Sequence, residues 1–300
     1  MMRASVQDAP LRGIALSLAS TVLFASADTI SKFLARSLPV IEIAWIRYVV
    51  FVGMAAWLAC RPGSRNLWPR NVPLQVARGL CLVGSAVLFV FGLRQMAMAE
   101  AATISFISPL LITVLSIPLL GERVGLRRWA AVVAGLAGVV IVMRPGLAGF
   151  QPAALYGVAS SACWALALVI TRRMAGSERP PTILLWSAGS GLLVLTLLLP
   201  WQAVLPTPAQ LGLALVLGVL ASSGQWLVVL AFRHAPASLL APFSYTQLLW
   251  SSFYGWLVFQ ALPDRWTLAG AAVIVASGLY TLHREGLNGQ AIRRPAVQRP

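Results

Sequence analysis

Four ionisable side chains lie in two otherwise apolar segments near the amino terminus. Asp28 and Lys32 are four residues apart in the first segment, and Glu42 and Arg47 open the second. Charged groups inside an apolar segment are expensive to bury and usually face a partner or water. The pattern predicts either a site for proton coupling or a charged substrate group, or a charge-balanced structural cluster. The structural alternative is the simpler one, because pairing alone lowers the cost of burial.

A second set of candidates is a polar stripe that occurs twice. The apolar stretch from Ala101 to Leu120 carries no formal charge, and its three serines share one helical face: Ser105, Ser108 and Ser116. A shift of 139 positions carries these three residues to a second apolar stretch, at Ser244, Gln247 and Gly255. Two equivalent helices with one polar face each indicate a duplicated protein with an internal polar path.

Two aromatic residues join this stripe. Trp164 lies in the middle of an apolar segment, although tryptophan prefers the membrane interface, and Tyr245 follows Ser244. We therefore predict a substrate cavity lined by Ser105, Ser108, Trp164, Ser244, Tyr245 and Gln247. The alternative for the serines is a hydrogen bond to their own preceding helical turn, without any function. Pro109 and Pro242 leave backbone carbonyls that need other partners.

The composition is that of an integral membrane protein. Hydrophobic residues make up 59% of the 300 residues and charged residues only 10%, against about 25% in soluble domains. The formal charge of +15 does not indicate nucleic-acid binding, because the basic residues lie between apolar segments. Enrichment of arginine in short cytoplasmic connections explains the charge.

Little in the sequence indicates catalysis. The three cysteines show no CxxC spacing and the two histidines are far apart, so we expect no metal, no cofactor and no disulfide framework. Lys32 is the only lysine, and no phosphate-binding GxxxxGK[ST] loop occurs. A membrane-embedded lipid-modifying enzyme is the alternative class, but it would need a nucleophile, base or metal cluster, and none is evident.

Hydropathy predicts an all-α protein with ten transmembrane helices. The first five spans are Gly13–Leu34, Ile41–Ala59, Val76–Ala97, Ala101–Leu120 and Trp129–Met143. The second five are Ala153–Thr171, Thr182–Leu199, Leu211–Ala231, Ala237–Phe259 and Trp266–Leu282. We place one repeat at residues 1–148, a second at 149–285, and a mobile basic tail at 286–300.

The basic residues predict the orientation. With both termini in the cytoplasm, the inner connections hold 17 arginines and the outer ones only 4, as the positive-inside rule requires. Because each half has an odd number of spans, the second half enters from the opposite face. This gives a 5+5 inverted repeat, an architecture common in secondary transporters, whose sites lie near the membrane midplane.

With these features, the chain resembles the EamA-type transporters of the drug/metabolite transporter superfamily. The segments that carry the resemblance are Ala99-Glu100-Ala101-Ala102, Ile107-Ser108-Pro109-Leu110 and Leu120-Gly121-Glu122-Arg123, with Ala235-Pro236-Ala237-Ser238 in the second half. Ala261 stands where a second copy of Glu122 would fall, so that glutamate is not duplicated. The resemblance implies a bacterial inner-membrane carrier whose fifth and tenth helices are peripheral.

For function, we expect alternating-access transport of a small metabolite, first of all export of amino acids including aromatic ones, as in the YddG-like branch. The alternative is an uptake or exchange carrier for riboflavin or S-adenosylmethionine, whose branches the segment Phe24 to Lys32 also resembles. The expected partners are a small-molecule substrate and the lipid bilayer, and a homodimer is left open.

Small residues also predict how the two peripheral helices meet. Ala134 and Gly138 lie four apart on the fifth span, and Ala272 and Ala276 lie four apart on the tenth. Faces of this kind allow close contact between helices in a membrane. We therefore predict that these two helices pack at the periphery and line no substrate path.

Overall fold

The structure is a computed structural model that describes residues 10–60, 68–120, 126–143, 152–174, 178, 180–201, 203–234, 243 and 246–293. These residues form α-helices joined by short connections, and no strand occurs among them. The prediction of an all-α protein is therefore confirmed for the described part of the chain.

The helices of the first half follow the predicted spans closely, with one exception. Their bounds are α1 Pro10–Leu34, α2 Val40–Ala59, α3 Val72–Gln95, α4 Met98–Ser105, α5 Ser108–Leu120 and α6 Leu126–Met143. The exception is the fourth predicted span, Ala101–Leu120, which consists of two helices, α4 and α5, instead of one.

In the second half the bounds are α7 Ala154–Met174, α8 Pro180–Leu198, α9 Pro208–His234, α10 Thr246–Phe259 and α11 Arg265–Arg293. A short 3₁₀ turn, Leu199–Trp201, follows α8. The first part of the ninth predicted span lies outside the described residues. The last helix continues past the predicted end at Leu282, into the segment for which we predict a mobile tail.

Six of these helices are long and apolar enough to cross a membrane. Their apolar spans are Leu11–Leu34, Val40–Ala59, Val72–Gln95, Ala154–Thr171, Pro181–Trp201 and Pro208–Val228. Three shorter apolar helical segments are Met98–Ile112, which covers α4 and the start of α5, Val133–Val142 and Arg265–Ser277. About 20 residues are needed to cross the hydrocarbon core, so the chain is a multi-pass membrane protein by helix length and composition.

The break between α4 and α5 has a local cause. Pro109 has no backbone N–H, so the usual helical bond to the carbonyl of Ser105 cannot form. The Ser108 hydroxyl donates to that carbonyl instead, at 2.7 Å. The chain turns at Phe106 and Ile107, whose N–H groups bond three residues back, to Thr103 and Ile104. The freed carbonyl predicted at this proline thus finds a side-chain partner.

The most extensive helix contacts join the two halves of the chain. They pair α1 with α9, α3 with α7, α6 with α11 and α2 with α8. A buried core lies where α1, α2 and α9 meet, and it includes Leu34, Ile43 and Leu217. Because neither half packs mainly on itself, the helices form one shared bundle.

The contact between α6 and α11 has almost no space between the backbones. A Cβ atom on Gly138 would lie 2.7 Å from Ile274 Cγ1 and 3.0 Å from the carbonyl oxygen of Gly270. We call Gly138, Gly270 and Ile274 the glycine contact. Of the four small residues singled out in the sequence, Gly138 lies in this contact. Ala272 and Ala276 are exposed, as is Ala134, because glycine at position 270 allows a closer approach than alanine does.

Candidate functional site

Three pairs of polar side chains connect α1 to α10. The Thr21 and Thr246 hydroxyls are 3.1 Å apart, and the Ser26 hydroxyl donates to the Tyr254 oxygen at 3.1 Å. At the third pair, Gln247 Nε2 donates to Asp28 Oδ2 at 3.2 Å. We call these residues the polar seam: Thr21, Ser26 and Asp28 on α1, and Thr246, Gln247 and Tyr254 on α10.

The structure therefore brings together two predicted residues from different sets. Asp28 belongs to the predicted ion cluster and Gln247 to the predicted cavity, and 219 positions separate them in the chain. The other seam residues were not among the sequence candidates. Thr21 lies seven positions before Asp28, which is two helical turns on the same face, and this spacing is the signal that identifies it.

Lys32 bonds to backbone carbonyls and not to a seam residue. Its ammonium group donates to the carbonyl oxygen of Leu93 at 2.7 Å and also to that of Met96, and it lies 5.5 Å from the centre of the Phe259 ring. The last carbonyls of a helix lack helical partners and carry partial negative charge. Lys32 therefore caps the end of α3.

Glu42 and Arg47 lie apart from that cap. Glu42 is buried and its Oε2 accepts a hydrogen bond from the Val204 backbone N–H at 3.1 Å. Arg47 is half-buried. Among the described residues, Asp28, Lys32, Glu42 and Arg47 form no ion pair with one another within 4 Å. Arg47 lies within electrostatic range of Asp28, whereas Lys32 and Glu42 bond to backbone groups elsewhere.

The serines of the fourth span bond to their own helices. Ser105 Oγ donates to the Ala101 carbonyl at 2.9 Å, and Ser108 Oγ to that of Ser105 at 2.7 Å. Both hydroxyl oxygens retain lone pairs that can accept hydrogen bonds. Trp164 is half-buried on α7. Ser244, Tyr245 and Pro242 lie outside the described residues.

A cleft opens where the end of α1 meets the end of α3. Its polar lining comes from Arg36, Ser37 and Arg94, and Val204 closes one side. The Arg36 guanidinium also lies 5.0 Å from the Phe259 ring centre. Within the described ranges, no three His, Cys, Asp or Glu side chains converge as metal ligands would.

The sequence matches the EamA-like transporter family twice, over residues 11–144 and 151–282. Among curated proteins, it is 28% identical over 276 residues to an S-adenosylmethionine uptake transporter of Rickettsia bellii, covering 91% of this chain and 94% of that protein. A riboflavin transporter of Rhizobium johnstonii is 35% identical over 202 residues, 66% of each chain. A pseudopaline exporter of Pseudomonas aeruginosa is 26% identical over 267 residues, covering 88% of this chain and 94% of that protein.

The fold agrees with these matches. One protein of known crystal structure superposes with a TM-score of 0.65 at 20% identity, covering 92% of this chain and 98% of that one. Identity this low bears on the fold alone. The two sequence matches together span nearly all the described helices, and the chain belongs to the EamA-like transporter family.

Proposed function

We propose that this chain is a secondary transporter for the uptake of S-adenosylmethionine or a metabolite of the same cationic chemistry. The observation that carries the proposal is the half-buried Asp28 carboxylate, which Gln247 contacts across the α1–α10 interface. S-adenosylmethionine carries a sulfonium and an ammonium group, and an acidic side chain inside a span suits a cation. The named uptake relative is similar along 91% of this chain.

This proposal replaces the first expectation from the sequence. Export of amino acids corresponds to none of the three relatives described above, whereas the alternative of S-adenosylmethionine or riboflavin corresponds to two of them. Riboflavin is the second candidate because its named relative has the highest identity of the three, 35%, although over 66% of the chain. Riboflavin carries no positive charge, so a carboxylate at position 28 is not needed to bind it.

The transport mechanism that we propose is alternating access by a 5+5 inverted repeat of ten spans. Helix contacts support this symmetry because they occur in matching pairs. In an exchange of the two halves, α1 corresponds to α7, α2 to α8 and α3 to α9. The pair α1–α9 then becomes α7–α3, and the pair α2–α9 becomes α8–α3. All four pairs are in contact. Likewise, α1–α10 corresponds to α7 with α4 and α5, while α6–α11 and α2–α8 correspond to themselves. A two-fold relation between the halves gives this pattern.

The substrate path that we propose runs beside the polar seam, near the middle of the membrane. The predicted cavity residues Ser105, Ser108, Trp164, Ser244 and Tyr245 complete it together with Gln247. In such a path, weak contacts at many points let the substrate leave again. A neutral hydrogen bond contributes about 0.5–1.5 kcal/mol, so several are needed for selective binding.

The membrane and its orientation are part of the proposal. We place the protein in the bacterial inner membrane with both termini in the cytoplasm, from the distribution of arginines. Single cysteines replacing Ser64 and Thr207, in a chain without its native cysteines, should react with impermeant reagents from opposite sides. Reaction of both from the same side would contradict the inverted repeat.

The substrate is tested in liposomes that contain the purified chain. Labelled S-adenosylmethionine, riboflavin and tryptophan are supplied separately, and accumulation is compared with that in empty liposomes. We expect saturable accumulation of S-adenosylmethionine that unlabelled S-adenosylmethionine abolishes. Accumulation of riboflavin alone would support the second candidate, and transport of tryptophan alone would return the assignment to amino acids.

A further inference from the structure

Two polar residues on α3 are buried without the partners that their chemistry requires. Gln75 is 0% exposed, and both its Nε2 and its Oε1 lack hydrogen-bond partners in the structure. Arg78, three positions further on, is 5% exposed. Residues three apart on a helix lie on the same face, so the amide and the guanidinium are neighbours.

The Arg78 charge is held by neutral groups only. Its Nε donates to the Thr171 hydroxyl of α7 at 2.7 Å, and its Nη1 to the Ser187 hydroxyl of α8. No acidic side chain lies within 4 Å of the guanidinium in the described part of the chain. Glu178, near the start of α3, instead accepts from the backbone N–H groups of Arg70 and Asn71.

This arrangement is unfavourable for a purely structural cluster. A buried polar group without a partner destabilises the fold, and a buried charge without a counter-ion destabilises it more. The helices are nevertheless close here, since a Cβ atom on Gly79 would lie 2.9 Å from the Ser187 carbonyl oxygen. An apolar residue at position 75 would avoid one of these two destabilising effects, so packing alone does not account for an amide there.

Resting on the function proposed above, we propose that Arg78 and Gln75 bind the α-amino-acid end of the substrate before its release. Arginine has five N–H donors, of which two are used here, and the remaining Nη donors match a carboxylate in the bidentate geometry. The Gln75 amide offers a further donor to the carboxylate, and its oxygen offers an acceptor to the ammonium group.

The position on α3 fits this step. Gln75 and Arg78 lie three and six residues after the helix starts at Val72, about 5 and 9 Å along the axis. The predicted topology places this end of α3 at the cytoplasm. Asp28 lies six residues before the end of α1 at Leu34, on the outer side of the membrane midplane in the same topology. An imported substrate would meet Asp28 first and Arg78 later.

The test compares S-adenosylmethionine with its decarboxylated form, which keeps the sulfonium and amine but lacks the carboxylate. We expect the wild-type chain in liposomes to prefer the carboxylated form by roughly tenfold or more, as one charge-assisted contact provides. Arg78→Gln should reduce that preference to near unity. Unchanged preference in folded Arg78→Gln would overturn the proposal. Arg70→Gln, at an exposed position just before the same helix, is the matched control and should keep the preference.

Gln75→Leu covers the case in which Arg78→Gln does not fold. If Gln75 serves binding, this variant should unfold at a higher temperature than the wild type, because an unsatisfied amide is removed, and it should still lose several-fold of the preference. Higher stability with an unchanged preference would overturn the role of Gln75. Gln95→Leu makes the same change at an exposed position on α3 and should alter neither quantity.

A second readout separates this subsite from the proposed substrate. Glycine and glycinamide differ only in the carboxylate, and each is added to purified protein in thermal unfolding experiments. Glycine should stabilise the wild type more than glycinamide does, and Arg78→Gln should lose the difference. This result without transport of S-adenosylmethionine would refute the proposed function and keep the subsite. Transport of S-adenosylmethionine with no difference in stabilisation between glycine and glycinamide would keep the proposed function and refute the subsite.

Discussion

The polar seam and the glycine contact both join a helix of the first half to one of the second, but by different forces. The seam between α1 and α10 consists of side-chain hydrogen bonds at 3.1–3.2 Å. The glycine contact between α6 and α11 has backbone and apolar atoms only. Water or a substrate can replace the hydrogen bonds of the seam, whereas neither can replace the close van der Waals packing of two backbones. The seam is therefore suited to an interface that opens during transport, and the glycine contact to an interface that stays closed.

The largest expected effect is at the glycine contact. Gly138→Leu would place side-chain atoms where Ile274 and the Gly270 carbonyl now lie, and overpacking of this kind costs about 1–3 kcal/mol or more. We expect a clear fall in the temperature of unfolding in detergent and less folded protein in the membrane. Ala272→Leu, at an exposed position of α11 outside this contact, should leave the unfolding temperature and the amount of folded protein unchanged. Loss of transport with unchanged stability would instead assign Gly138 to the substrate path.

The next largest effect is expected at Asp28. Asp28→Asn keeps a side-chain oxygen for Gln247 but removes the negative charge. Hydrogen bonds to charged groups contribute about 1.5–3 kcal/mol, so the half-saturating concentration of S-adenosylmethionine should rise about tenfold to a hundredfold. The thermal unfolding curve should change little. If uptake were unaffected, the carboxylate would not contact the cation.

A smaller effect is expected at the partner of this carboxylate. Gln247→Leu removes one amide and leaves Asp28 in place, at a cost of about 0.5–1.5 kcal/mol, or roughly twofold to tenfold in affinity. Initial rates of uptake over a range of concentrations measure this change. Complete inactivation with the protein still folded would mean that Gln247 does more than supply one hydrogen bond.

The smallest effect is expected at the other end of the seam. Ser26→Ala removes the hydrogen bond to Tyr254, but Ser26 also donates to the Val22 carbonyl of its own helix at 2.9 Å. Its loss should therefore change stability by at most about 1 kcal/mol and should leave the substrate preference intact. A double variant with Tyr254→Phe should add little further, because both changes remove the same contact.

The fold could be predicted in large part because hydropathy alone determines where apolar helices begin and end. For α2 and α6, the predicted and observed bounds agree to within a few residues. The break between α4 and α5 was missed, since the apolar run from Ala101 to Leu120 has no interruption in hydropathy. The break follows from the missing N–H of Pro109 and from the bond of Ser108 to the Ser105 carbonyl, and hydropathy reports neither.

The candidate site was predictable only where side-chain chemistry is visible in the sequence. Asp28 and Gln247 could be selected as polar residues in apolar spans, although nothing in their positions indicated that they meet. The partner of Lys32 could not be found, because it consists of backbone carbonyls that every helix has. The face of α11 that contacts Gly138 could not be chosen from the sequence for a related reason. Small residues occur on more than one face of α11, and the packing of the two helices determines which face lies against Gly138.

Lys32 also gives the chain a built-in chemical reporter. It is the only lysine of the 300 residues, and both carbonyls that hold its ammonium lie where α3 ends. An amine-reactive reagent can modify this side chain only when it leaves those carbonyls and loses its proton. Mass spectrometry of the peptide that contains Lys32 distinguishes this reaction from modification of the amino-terminal amine. The rate of modification at Lys32 therefore reports how often α1 separates from the end of α3. No label has to be introduced, and a rate that rises during turnover would time this movement within the transport cycle.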